Sequence, residues 1–182
     1  ACLHSASILA SRSWYHFSMK TSALYLRTII FGINDSLVST VGFLAGISVA
    51  GVPRSTIVLT GIIYALVEAF SMAMGDFLSE ESAEEYISKS NVNDRPSVIA
   101  AVLMFISCVL ASLIPLVPYI IFTSGTALIV SICLSVLSLF IVGMVGARFS
   151  RLPMLWRGAR MAFLGGAAIA MGVAIGIFMP AV

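Results

Sequence analysis

The sequence predicts an all-α integral membrane protein with five transmembrane helices. Of its 182 residues, 60% are hydrophobic and only 10% are charged, whereas soluble domains carry roughly 25% charged residues. The mean hydropathy is +1.08, and a soluble globule of this size cannot bury so much apolar surface. The alternating hydrophobicity typical of a β-barrel is absent, so helices are expected to cross the bilayer.

Five segments are long enough to span a membrane, which requires about 20 predominantly apolar residues. The third is the shortest and is expected to end at Pro115. The segments cover residues 28–50, 55–79, 97–115, 124–147 and 158–179. Turn-forming residues separate them at 51–54, 91–96, 115–118 and 150–153.

The chain divides into an N-terminal cytoplasmic segment, residues 1–27, and a transmembrane domain, residues 28–179. Within the transmembrane domain, a short acidic connection at 80–96 is expected to lie in the cytoplasm. The chain begins with Ala1. Met19 is an alternative start that would exclude residues 1–18, and a preceding domain is a further alternative.

Lys and Arg residues concentrate on one side of the predicted membrane. Cytoplasmic loops carry an excess of these residues, so we expect the N-terminus in the cytoplasm and the C-terminus outside or in a lumen. That membrane would be the plasma membrane in a prokaryote and a vacuole-like membrane in a eukaryote. Only Arg54 falls on the far side, opposite Arg12, Lys20, Arg27, Lys89, Arg95, Arg148, Arg151, Arg157 and Arg160.

The sequence offers little support for an enzyme. His4 and His16 lie outside the spans, and no metalloprotease, nucleophile-elbow or phosphate-binding motif is present. Cys2, Cys108 and Cys133 lack the spacing of a zinc site and are interpreted as small core residues. A net charge of +2 gives no reason to expect nucleic acid as a partner, and no permanently bound cofactor is expected.

Acidic residues lie where a bilayer disfavours them. Asp35 and Glu68 fall inside predicted spans, and Asp76 lies near the end of one. A carboxylate at the centre of a span costs roughly 2.5–3.5 kcal/mol on insertion scales. No Lys or Arg lies within the apolar part of any span, so a bound cation, a proton or both are expected to compensate these acids.

Small and polar residues form a stripe on the first span, within an arc of about 80° at helical pitch. Plain helix packing explains such a stripe, but the presence of an acid favours a face that lines a transport pathway. One GxxxG pattern in the last span, Gly172 and Gly176, indicates helix association but occurs often by chance. The stripe comprises Gly32, Asp35, Ser39, Gly42 and Gly46.

A second polar face lies on the second span, within an arc of about 100°. A carboxylate and a thioether one turn apart form a mixed ligand set, which favours first-row metals such as Fe²⁺ over Mg²⁺ or Ca²⁺. Met72 is equally typical of core packing. The candidate metal ligands are Asp35, Glu68, Met72 and Asp76, and Gly75 and Ser79 share the face of the last three.

Four glutamates follow the second span, on a helix that is expected to continue to Tyr86. Glu80, Glu81, Glu84 and Glu85 fall within an arc of about 140°. Such a face concentrates divalent cations at the cytoplasmic mouth of a pathway, so these four residues are further candidate metal ligands. A solvated helix end is the alternative interpretation.

Two sequence runs resemble motifs of the vacuolar iron transporter family. The run IFGINDSLVSTVG at residues 30–42 is similar to the family's N-D-G-L-V-S-T signature, and AFSMAMGDFLS at 69–79 is similar to its S-M-A-x-G-[ED]-[YF]-x-S motif. This sequence departs at Ser36, which replaces a glycine and adds a possible oxygen ligand beside the pathway. It also resembles a short member, because 80–96 replaces the family's long cytoplasmic metal-binding domain.

The resemblance implies a homodimer that exports Fe²⁺, and sometimes Mn²⁺, from the cytoplasm in exchange for protons. It also implies that the first spans of both subunits line the pathway. Asp35 takes the position of the family's pathway aspartate and Met72 that of its second-span methionine. Protons and metal compete for carboxylates, so Asp35 and Glu68 are the expected proton carriers. The alternative is a non-transporting dimeric membrane anchor or a partner of an iron-storage protein.

Overall fold

In the computed structural model, the described residues form five α-helices. The structure describes the backbone of residues 2–88, 95–149 and 153–179. It also describes the side chains in these ranges, except those of residues 2–21, 23, 87, 88, 124 and 149. Each helix contains a stretch long and apolar enough to cross a membrane, which confirms the predicted fold class. The helices are α1 (Cys2–Val49), α2 (Arg54–Ser88), α3 (Arg95–Ile121), α4 (Ser124–Phe149) and α5 (Met154–Phe178).

Helix α1 lies at the centre of the bundle and contacts each of the other four helices. In its spanning stretch, 50% of the residues are buried, compared with 17% in α5. A central helix needs small residues to let its neighbours approach, and this explains why the least apolar span is the most enclosed. Ser36, Leu37 and Thr40 are all fully buried there.

The α1–α5 contact brings two pairs of glycines together. A Cβ atom on Gly46 would lie 2.8 Å from the carbonyl oxygen of Gly172. In the reverse direction, Cβ atoms on Gly172 and Gly176 would collide with the carbonyl oxygens of Gly42 and Gly46. The backbones therefore touch directly, and the GxxxG pattern of α5 serves helix packing within one chain.

The prediction that the third span ends at Pro115 is wrong. Helix α3 continues through Pro115 and Pro118 to Ile121. A proline inside a membrane helix is tolerated when neighbouring groups satisfy the backbone that it disturbs. Here the Ser131 hydroxyl of α4 donates a hydrogen bond of 2.7 Å to the carbonyl oxygen of Pro115, and Tyr119 is fully buried beyond it.

The predicted turn between the first two spans is confirmed. Gly51 adopts a φ of +86°, a left-handed conformation that glycine adopts without steric cost, and α2 begins at Arg54. The Arg54 guanidinium reaches across to the end of α3, where its Nε donates to the carbonyl oxygen of Tyr119 at 2.7 Å and a second nitrogen donates to that of Ile120.

Other boundaries move outward along the helices. Helix α1 extends back to Cys2, so the boundary predicted at residue 27 falls within a continuous helix. Helix α5 begins at Met154 rather than near residue 158. Helix α2 continues to Ser88, which confirms that the acidic stretch is helical. The breaks predicted at 91–96 and 150–153 lie mostly outside the described residues. The side chains of residues 1–18 also lie outside them.

Candidate functional site

Two acidic residues of α2 accept hydrogen bonds from hydroxyl groups of α1. Near the middle of both spans, the Ser39 hydroxyl donates to Oε1 of Glu68. Nearer the predicted cytoplasmic end, the Thr28 hydroxyl donates to Oδ2 of Asp76 over 3.3 Å. The antiparallel course of α1 and α2 therefore aligns two hydroxyl–carboxylate pairs along one helix contact.

Glu68 accepts two hydrogen bonds, compared with one for Asp76, but both reach the same carboxylate oxygen. The Tyr64 hydroxyl, one turn earlier on α2, also donates to Oε1 over 3.3 Å. The second oxygen, Oε2, is buried and has no hydrogen-bond partner among the described residues. A buried polar atom without a partner costs roughly 1–3 kcal/mol, and a proton or a cation on this oxygen would remove that cost.

Asp35 lies one helical turn before Ser39 on α1. Its side chain is half-buried, and Ser39 is the residue whose hydroxyl contacts Glu68. The two acids that the sequence predicts as proton carriers therefore lie on neighbouring turns of the α1–α2 contact, and their role in proton transfer stays a prediction.

A cleft of about 540 Å³ opens beside Glu68 on the outer side of α2. One wall is formed by the rings of Phe43 and Tyr64, which stack with centroids 4.5 Å apart. The opposite rim carries exposed apolar side chains, including Ile63 and Val67. The cleft therefore gives the carboxylate access from the lateral surface of this chain.

A second cavity, of about 550 Å³, lies towards the predicted cytoplasmic end of α1 and α2. It brings together Met72, Gly75, Asp76 and Ser79, which are four of the five residues predicted on one face of α2. Glu68, the fifth, lines the other cleft instead. The remaining lining residues are Arg27, Thr28, Phe31 and Met104.

Met72 lies between the two carboxylates and packs against α3. It is half-buried among Ala69, Ala73, Met104 and Cys108, and its sulfur lies 3.9 Å from Sγ of Cys108. Asp76, Met72 and Glu68 follow one another at four-residue intervals, about 6 Å apart along the helix axis. Helix α2 thus presents oxygen, sulfur and oxygen at successive turns.

The predicted pathway-lining residues have different environments. Gly32 faces α3, while Gly42 and Gly46 face α5, so all three glycines lie in helix contacts, and their role in lining a pathway stays a prediction. Ser36 is fully buried, and Ser39 contacts Glu68.

The four glutamates occupy the last turns of α2. Glu80, Glu81 and Glu84 are half-buried and Glu85 is exposed. Among the described residues, no group of three or more His, Cys, Asp or Glu side chains is arranged to hold a metal ion. The predicted metal-ligand set therefore remains a prediction, and the part of one chain that the structure describes does not preassemble it from these residue types.

Four residues of the site were not predicted from the sequence. Thr28 lies one turn from the predicted residue Gly32, and Tyr64 lies one turn from the predicted residue Glu68. Both Thr28 and Tyr64 carry hydroxyl groups. Met104 and Cys108 are separated by four residues on α3, which places their sulfurs on one face. Helical spacing of polar or sulfur-bearing side chains was the signal in each case.

The helices and the partly buried acids define the class: an integral membrane protein with polar and sulfur side chains inside its helical bundle. The sequence profile of the VIT family matches residues 26–98 and 87–177, which together span most of the chain. The chain belongs to the VIT family.

Individual relatives agree with this assignment at low identity. Vacuolar iron transporter 1 of Tulipa gesneriana is 30% identical over 95 residues, which is 52% of this chain but 37% of that protein. Vacuolar iron transporter homolog 2 of Arabidopsis thaliana is 25% identical over 173 residues, 88% of this chain and 86% of that protein. An uncharacterised protein of Methanocaldococcus jannaschii is 28% identical over 171 residues, 84% of this chain and 86% of its own length.

Proposed function

We propose that this chain transports a divalent metal ion, either Fe²⁺ or Mn²⁺, out of the cytoplasm in exchange for protons. The observation that carries the proposal is the Glu68 carboxylate, which accepts hydrogen bonds from Ser39 and Tyr64 while its second oxygen has no partner among the described residues. Relatives named vacuolar iron transporters support iron as the substrate.

Competition between protons and metal explains the exchange. A carboxylate must be ionised to bind a metal ion, so proton binding and metal binding exclude each other at the same oxygen. Asp35 lies one helical turn before Ser39, whose hydroxyl contacts Glu68, so the two carboxylates lie on neighbouring turns of the α1–α2 contact. A divalent cation would neutralise both charges, and protons arriving from the other side would then release it.

We propose that the working unit is a homodimer in which the first helices of the two subunits line the pathway. The described residues of one chain provide no three-residue cluster of ordinary metal-binding side chains, and divalent iron requires more ligands than one carboxylate pair supplies. A second copy would contribute its own Asp35 and Met72. The excess of Lys and Arg on one side supports a cytoplasmic N-terminus and export from that side.

Uptake of Fe²⁺ into proteoliposomes tests this function. The full chain is reconstituted with an acidic interior, and Fe²⁺ accumulation is followed with and without the pH gradient. We expect uptake that requires the gradient and is lost in Asp35→Asn. The matched control is Asn34→Asp, which adds a carboxyl group one residue away and keeps Asp35. Absence of uptake by correctly folded wild-type protein would refute the proposal and favour a non-transporting membrane anchor.

A further inference from the structure

Three sulfur-bearing side chains, Met72, Met104 and Cys108, pack together where α1, α2 and α3 meet. The Cys108 thiol of α3 lies 3.9 Å from the Met72 sulfur of α2 and donates towards the carbonyl oxygen of Gly32 over 3.6 Å. An atom at the Cβ position of Gly32 would lie 2.8 Å from the Met104 sulfur and 3.1 Å from the Cys108 sulfur. The Met104 and Cys108 sulfurs therefore pack directly against the backbone of α1, and only a glycine at this position leaves room for them.

The distance between two of these sulfurs fits metal coordination. If Met72 and Cys108 each bound one ion at about 2.3 Å, their separation of 3.9 Å would give a sulfur–metal–sulfur angle of about 116°. This angle lies between the ideal tetrahedral and trigonal values. Met104 contacts the same point of α1 as Cys108. It is 1% exposed and Cys108 is 0% exposed, so a three-sulfur set here would be enclosed by protein.

A buried hydroxyl group also lies at this site. Ser36 of α1 is 0% exposed, and its hydroxyl has no hydrogen-bond partner in the described part of the chain that satisfies ordinary geometry. The Cys108 thiol lies within weak hydrogen-bonding range of this hydroxyl. Buried polar groups without partners are uncommon and often indicate an absent ion or water molecule.

We infer that Met72, Met104 and Cys108 form a binding site for a soft monovalent cation, Cu⁺ or its analogue Ag⁺. Thiolate and thioether sulfur select Cu⁺ among biological metals. On binding, the Cys108 S–H bond breaks, the sulfur binds the metal and one proton leaves to solvent. The resulting complex of one thiolate and one monovalent cation is neutral, which removes the main cost of burying it in a membrane.

An access route to this site is present in the same chain. The 550 Å³ cavity that carries Asp76 near the cytoplasmic end is also lined by Met72 and Met104. A cation attracted by the carboxylate would therefore reach two thioethers before it reached the thiol. The inference goes beyond the proposed export of divalent metal, and Met72 is the one ligand of the sulfur set that the proposed pathway also uses.

Competition for Cu⁺ tests the site directly. The full chain, purified in detergent under reducing conditions, is titrated against a chromophoric Cu⁺ chelator, and the absorbance of the chelator complex reports Cu⁺ retained by the protein. The comparison uses Cys108→Ser, with Cys133→Ser as the matched control because Cys133 is an exposed free cysteine on α4. Elution volume and thermal denaturation without metal verify that each variant is folded.

We expect wild type and Cys133→Ser to retain one Cu⁺ per chain with equal affinity. Cys108→Ser should lose at least about 100-fold in affinity, and Met104→Leu about 10-fold, since it removes one ligand but keeps the volume. X-ray absorption of the Cu⁺-loaded wild type should show only sulfur neighbours at about 2.3 Å. Retention by Cys108→Ser, or an equal loss in Cys133→Ser, would overturn the inference.

The two proposals can fail separately. Asp35→Asn should abolish Fe²⁺ uptake while the protein still retains one Cu⁺ per chain, because Asp35 contributes none of the three sulfur ligands. Conversely, Cys108→Ser should lose Cu⁺ retention whether or not the wild type transports Fe²⁺. A wild type that transports Fe²⁺ but retains no Cu⁺ would refute the sulfur site alone.

Discussion

The glycine contact between α1 and α5 allows a quantitative prediction about stability. In Gly172→Ala, the new Cβ would meet the carbonyl oxygen of Gly42, which belongs to the backbone and moves only if a helix moves. Overpacking costs about 1–3 kcal/mol of stability. We expect a cost of about 3 kcal/mol here, because the colliding neighbour is a backbone atom. Alanine recovers about 1 kcal/mol of helix propensity. We therefore expect the free energy of unfolding to fall by about 2 kcal/mol.

Gly166→Ala is the matched control on the same helix. A Cβ atom at Gly166 would meet nothing within 4 Å, so only the propensity gain of up to about 1 kcal/mol remains. The assay is reversible unfolding in mixed micelles, followed by circular dichroism over an SDS titration. A Gly172→Ala protein as stable as Gly166→Ala would show that α1 and α5 are not in backbone contact, and the reasoning would be wrong.

The same unfolding assay tests three polar contacts. Ser39→Ala should lower the free energy of unfolding by about 1–3 kcal/mol because it leaves Glu68 without its main donor. Tyr64→Phe should cost less, since its hydrogen bond to Glu68 is long at 3.3 Å, and equal losses would contradict this ranking. Arg54→Gln should cost about 1 kcal/mol by releasing the last turn of α3; an unchanged midpoint would show that this contact contributes nothing.

The contact of Arg54 also explains an exception in the charge pattern. It is the one Lys or Arg that the sequence places on the side opposite to the other nine. In the structure its guanidinium binds carbonyl oxygens at the end of α3, where the helix dipole favours a positive charge. A structural role at a helix end is therefore sufficient to explain this residue, and the orientation inferred from the others is unaffected.

The sequence predicted the number of helices and the approximate spans because hydropathy depends on local composition alone. The predicted end of the third span was wrong at Pro115, because proline on its own favours a break in a helix. Ser131 lies 16 residues away on α4, and its hydrogen bond to Pro115 depends on how two helices pack. A rule based on neighbouring residues contains no information about such a partner.

Several residues of the candidate site were predicted individually, but their pairings were not. Helical phase places Glu68 and Met72 on one face of α2, yet it does not say that Glu68 meets Ser39 whereas Met72 meets Cys108. Those partners are 29 and 36 residues away in sequence. Phase also could not separate glycines that line a pathway from glycines that pack, because both uses require a small residue.

The order of ligand types along α2 bears on which cation the proposed pathway would accept. On that pathway, a cation would pass from the cavity lined by Asp76 and Met72 to the cleft lined by Glu68, past oxygen, sulfur and oxygen at intervals of about 6 Å along the helix. A hard ion such as Mg²⁺ would bind poorly at the sulfur step, and a soft ion such as Cu⁺ would be held there. A borderline ion such as Fe²⁺ would bind both kinds of ligand without being held by either. On the proposed pathway, alternation of ligands therefore favours passage of an ion that neither ligand type would select alone.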